Sequence, residues 1–200
     1  MKYNPVEVAK LQPDYLGFIF YDKSPRNFTD NKIPSLPTGI KKVGVFVNAE
    51  IDYIIEKLKK LDLNVIQLHG EESVDYCTDL KTRCKADSIE IDLWKVFSIK
   101  DAFDFSVLKN FEPYVDKFLF DTKGKEKGGN GYTFDWQLLK EYPSEKPFIL
   151  SGGIGLEELE KLRLIFQTQL PIYAVDINSK FEDKPGLKNT QDLKKFIDEL

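Results

Sequence analysis

A chain of 200 residues with 42% hydrophobic and 31% charged side chains can bury one sizeable core, which excludes a disordered or fibrous protein. The 33 acidic and 29 basic side chains leave a net charge of −4, which argues against a nucleic-acid partner. The apolar runs are too short to cross a bilayer and the start does not read as a signal sequence, so one cytoplasmic domain over residues 1–200 with no membrane partner is expected.

The chain opens with a helix rather than a strand. Asn4 stands at an N-cap position, Pro5 at the first helical position, and Val6 and Ala9 supply a packing face over 4–12. Short apolar runs then recur at 15–21, 43–47, 63–68, 93–97, 117–121, 147–151 and 172–177, each of strand length. Between and after them, helices are predicted over 50–61, 71–84, 101–112, 134–141, 155–168 and 189–199, while 25–39 reads mostly as loop. Strand and helix alternate along the whole chain, which specifies an α/β protein with parallel strands.

Two architectures fit that alternation, an open doubly wound sheet and a closed barrel. The doubly wound form calls for a glycine-rich phosphate loop after the first strand, and 15–26 has none. Polar residues instead recur at the ends of many strands: Tyr21, Asn48, Gln67 and His69, Asp121 and Thr122, Ser151 to Gly153, and Asp176 to Ser179. Chemistry contributed by many C-terminal strand ends is the pattern of a barrel, which is the favoured reading.

Asp121 leads the candidates, because it ends the apolar run 118–121 and precedes a loop containing Gly128, Gly129 and Gly131. A lysine-rich solvated loop and a carboxylate that caps it would leave the same letters. Gln67 and His69 end another strand with hydrogen-bonding groups suited to holding a ligand, or to a structural role. Cys77 and Cys84 lie seven apart in a helical segment without flanking His or Cys, so they read as structural thiols rather than a metal site or redox pair.

Taken in order, 15–26, 43–48, 65–70, Phe120 to Thr122 with Gly128 to Gly131, Leu150 to Gly153, and Val175 to Ser179 with Pro185-Gly186 resemble the phosphoribosylanthranilate isomerase family. The resemblance implies a TIM-type β/α barrel and, in tryptophan biosynthesis, an Amadori rearrangement of a small phosphosugar-anthranilate substrate that uses neither metal nor organic cofactor. It makes Asp121 the general acid, Arg26 the partner of the anthranilate carboxylate, Gln67, His69 and Asp176 substrate-binding residues, and Gly152, Gly153, Asn178 and Ser179 the phosphate site. Arg26 suits its part because a guanidinium can pair with a carboxylate through two parallel hydrogen bonds. At the phosphate site Asn178 and Lys180 stand where the family pattern has serine and glycine.

The family's general base is a cysteine on the first barrel strand, in a Lys-Ile/Val-Cys-Gly pattern that these residues do not contain. Seven of eight strands are therefore expected, with the first strand and its base missing and with weak turnover by this chain. Monomer and homo-oligomer both stay open. The alternatives are a phosphate-binding barrel lyase and a ligand-binding protein without catalysis.

Overall fold

The computed structural model describes residues 1–122 and 133–200. The chain divides into two compact units, Met1–Lys95 with Lys184–Lys188, and Val96–Asp183 with Asn189–Leu200.

The first unit begins with helix α1 (Pro5–Ala9) and strand β1 (Tyr15–Phe20). Asn4 precedes α1 but does not cap it. Its side chain is instead spent on a distant backbone: Nδ2 donates to Lys188 O at 2.8 Å, and Lys188 N donates to Oδ1 at 3.0 Å. After a long loop come β2 (Lys41–Phe46), α2 (Ile51–Leu61), β3 (Val65–Leu68) and α3 (Val74–Ala86), then β4 (Asp92–Ile99), whose second half continues into the other unit. Ser73 caps α3 by accepting from Tyr76 N at 3.2 Å, satisfying one of the amides a helix start leaves over. Cys77, Leu80 and Cys84 give α3 its buried face.

The second unit contains β5 (Lys117–Thr122), β6 (Phe148–Leu150), α5 (Leu159–Phe166), β7 (Ile172–Val175) and α6 (Thr190–Glu199), besides the single-turn α4 (Leu108–Phe111). The helix predicted over 101–112 is only a 3₁₀ turn at Phe105–Val107 joined to α4, and the one predicted over 134–141 is a 3₁₀ stretch at Trp136–Glu141. Aromatic packing takes the place of long helix faces there. Tyr142, Phe120 and Phe148 form a mutually contacting cluster with ring centroids 5.0 to 5.6 Å apart, and Phe105 joins it from the first 3₁₀ turn. A small hairpin, β8 (Glu182–Lys184) and β9 (Leu187–Lys188), was not foreseen; from Lys184 on it belongs to the first unit, and it turns at Pro185 and at Gly186, whose φ is +86°.

The seven predicted strands are all present, in sheet order β1 to β7, and the registered pairs run parallel. Burial follows that order. All four residues of β3 are buried, β1 alternates half-buried with buried positions, and none of β7 is buried. A strand with neighbours on both sides and layers on both faces loses all contact with water, whereas an outermost strand does not.

The edge of β1 turned away from β2 is occupied from within its own unit. Phe28 N donates to Ile19 O at 2.7 Å, Tyr21 N to Asn27 Oδ1 at 3.1 Å, and the Met1 amino group to Gly17 O. These contacts satisfy backbone groups that alternate with those facing β2.

Candidate functional site

The first unit brings its polar residues to the ends of β2 and β3 and to the middle of β4. Gln67, on β3, is buried, and its Oε1 lies within hydrogen-bonding distance of His69 Nδ1, at 3.1 Å. His69 N in turn donates to Phe46 O at 2.8 Å, which ties the residue after β3 to the last residue of β2. Arg26 lies elsewhere in the unit, in the turn after β1 where Asn27 N donates to Ser24 O at 3.0 Å, and it is half-buried.

Beside Gln67 and His69 the structure adds a pair that sequence reading missed. Glu72 and Lys95 form an ion pair at 3.0 Å with side chains 1% and 4% exposed. The Glu72 carboxylate also accepts from Asn48 N at 2.8 Å and Gly70 N at 3.0 Å, and Lys95 Nζ donates to Gly70 O at 2.8 Å. Asn48 adopts φ +49°, unusual for a residue with a side chain, and its Oδ1 accepts from Glu71 N at 2.7 Å. Lys95 interrupts the otherwise apolar run 93–97, which was the one available signal.

In the second unit Asp121 is 6% exposed near the end of β5. Its Oδ1 accepts from Thr122 N at 2.9 Å, while Thr122 Oγ1 donates to Gly152 O at 3.1 Å and accepts from Phe134 N at 3.0 Å. Gly152, at φ +90°, is packed so closely that a Cβ there would stand 2.3 Å from Thr122 N and 2.7 Å from Asp121 Oδ1. Only glycine permits both the turn and the approach. Gly153 also has positive φ, +72°.

Asp176 N donates to Leu150 O at 2.8 Å, which sets the end of β7 beside β6, and Ser151 Oγ lies 3.5 Å from Asp176 Oδ2. Asn178 and Ser179 follow, and Lys180 pairs with Glu157 at 2.5 Å, the bond from Lys180 holding the Glu157 carboxyl below its ordinary range. The predicted residues of this half, Asp121, Gly152, Gly153, Asp176, Asn178 and Ser179, thus fall at the ends of β5, β6 and β7. Gly128, Gly129 and Gly131 lie outside the described residues.

Neither cysteine stands at a strand end. Cys77 and Cys84 are both buried on α3, and burial pushes both thiols up, that of Cys77 to about 11. A thiol held protonated is a poor base or nucleophile.

Parallel strands, most of them followed by a helical segment, with polar groups at their C-terminal ends, define a β/α-barrel class of enzyme. The family model described as N-(5'phosphoribosyl)anthranilate (PRA) isomerase matches residues 3–199. The chain belongs to that family. It is 41% identical over 201 residues to the N-(5'-phosphoribosyl)anthranilate isomerase of Parabacteroides distasonis, covering 97% of this chain and 86% of the relative. Among solved structures, the phosphoribosyl anthranilate isomerase of Thermotoga maritima is 31% identical with a TM-score of 0.79, over 96% of this chain and 90% of that one. Another, solved with reduced 1-(o-carboxyphenylamino)-1-deoxyribulose 5-phosphate, is 28% identical with a TM-score of 0.75, over 96% and 90%.

Proposed function

We propose that this chain carries the substrate-binding groups and the general acid of an aldose-ketose isomerase of tryptophan biosynthesis, acting on N-(5-phosphoribosyl)anthranilate in the cytoplasm. The observation that carries the reading is Asp121, buried beside Thr122 and Gly152 near the end of β5. The Asp121 carboxyl gives its proton to the furanose ring oxygen as the ring C–O bond breaks, which leaves an open-chain imine. A base then takes the C2 proton, and the electron pair shifts to give the enolamine that becomes the ketose. Arg26 pairs with the anthranilate carboxylate. Gln67, His69 and Asp176 hold the sugar and linker, and donors around Gly152, Gly153, Asn178 and Ser179 hold the phosphate.

These residues do not supply the second proton transfer in the way the family resemblance implies. The two cysteines are on α3, not at a strand end. These 200 residues are therefore expected to bind ligand and turn it over weakly.

The test compares turnover and folding of the parental chain and an Asp121 variant. Asp121→Asn keeps the shape of the side chain and should lower kcat by about 10²–10⁴-fold, the usual contribution of a positioned acid, with its urea midpoint unchanged. An unaltered kcat in the folded variant removes Asp121 from the mechanism. Strong turnover by these 200 residues would show that no strand-end cysteine is needed.

A further inference from the structure

Glu72 and Lys95 have no part in that chemistry, yet they are the buried ion pair beside the proposed ligand groups of the first unit. Removing two charges from water costs several kcal/mol per ion, and a well-packed apolar pair often stabilises a core as well or better. The pair therefore calls for an explanation other than stability. Glu72 accepts from three successive strands or their ends at once: Asn48 N after β2, Gly70 N after β3, and Lys95 Nζ within β4. Lys95 closes the ring by donating to Gly70 O at 2.8 Å.

Gly70 is thus held at its amide and its carbonyl, in the position directly after His69. The fit leaves no slack, since a Cβ on Gly70 would lie 2.3 Å from Asn48 Oδ1 and 2.6 Å from Glu72 Oε1. His69 is held on its other side by its own N–H to Phe46 O. Where both flanks of a backbone segment are fixed, the direction of the side chain between them is fixed too.

We propose that the Glu72–Lys95 pair is a positioning device that fixes the turn after β3 and so aims His69, whose Nδ1 lies against Gln67, at the ligand. The ligand part of the proposal rests on the reading of His69 and Gln67 as substrate-binding residues. The positioning part does not.

The two parts separate in one experiment on the full chain. Glu72→Gln combined with Lys95→Met removes both charges and leaves no uncompensated ion, so the double variant is expected to unfold near the parental urea midpoint. The chain has one histidine, so its imidazole ¹⁵N signals identify themselves. They should shift in the double variant as the ring's contact with Gln67 loosens, and affinity for reduced 1-(o-carboxyphenylamino)-1-deoxyribulose 5-phosphate should fall by up to about 10²-fold, the scale of a misplacement near 1 Å. Parental imidazole signals in the folded double variant overturn the positioning role. Shifted signals with undiminished affinity overturn its link to the ligand. A parental chain that does not bind the analogue overturns the functional reading, while shifted signals still support the positioning role. Should the double variant fail to fold, Lys95→Arg carries the same imidazole readout, because it keeps the charge but replaces a compact ammonium by a planar fork; signals that stay parental in it again overturn the proposal.

Discussion

The two units organise their polar strand ends by opposite means. In the first, a carboxylate and an ammonium from different elements meet at 3.0 Å and hold the backbone turn at Gly70 between them. In the second, the Asp121 carboxylate rests on the amide of its own neighbour, and Gly152 comes up against it at a backbone angle that side chains avoid. One end is specified by which side chains are present, the other by a side chain that has to be absent. They should therefore break under different substitutions.

The first end should fail when one charge is removed. Lys95→Met leaves Glu72 buried without its ammonium, and breaking a buried pair from one side typically costs about 3–5 kcal/mol. Urea unfolding should show that loss as a lower midpoint at similar slope, with most of it recovered when Glu72→Gln is added. A single variant as stable as the parent would mean that water or another group already satisfies Glu72, and the contrast between the units would lose its first half.

At the second end the disruptive change is the addition of a methyl group. Gly152→Ala puts a Cβ 2.3 Å from Thr122 N, a backbone atom that cannot swing aside, at φ +90°. The backbone conformation alone costs an L-residue about 1–2 kcal/mol and overpacking about 1–3 kcal/mol more. We expect a stability loss of at least about 2 kcal/mol in urea, together with weaker binding of a phosphosugar analogue. A neutral result would show that the loop can retreat from Thr122, and with it that Asp121 is not held by close backbone packing.

The smallest effect distinguishes the units by their alkaline behaviour. Burial raises Cys77 in the first unit from 9.0 to about 11 and Tyr142 in the second from 10.0 to about 12. In both cases the folded state keeps a proton that the unfolded chain gives up. The stabilisation is complete below the unfolded value and is lost as pH rises through the window up to the folded one. For Cys77 that window runs from about 9 to about 11, where stability should fall by at most about 1.4 kcal/mol per pH unit. Urea midpoints taken across it should decline in the parent and decline less steeply in Cys77→Ala, while Tyr142 adds its share only at higher pH. Equal slopes in both proteins would show that Cys77 titrates as an exposed thiol.

Much of the layout was legible without coordinates. Each of the seven apolar runs became a parallel strand, most plainly in β3, where a strand covered on both faces has to be apolar at nearly every position. The ends of those runs could be read for the same reason: Gln67, Asp121, Ser151 and Asp176 stand out where an apolar run stops. Helices were less legible. The segments 101–112 and 134–141 contain apolar residues at helical spacing, but Phe105, Tyr142 and their aromatic neighbours pack well enough that a 3₁₀ turn suffices.

What the sequence determined by itself was the alternation, the strand ends and the family, since these rest on residue types and spacings that local chain geometry turns directly into elements. Only the tertiary structure decided which distant groups became partners. Asn4, placed as a helix cap, pairs with Lys188 across 184 positions; Glu72, an ordinary acidic residue at a predicted helix start, meets Lys95 23 positions later; and Gly152 needs to be glycine because of Thr122, 30 positions before it. The physical reason is common to all three. Hydrogen bonds, ion pairs and steric contacts act over about 3 Å in space, and in a parallel β/α fold neighbouring strands are separated in sequence by a whole helical crossover.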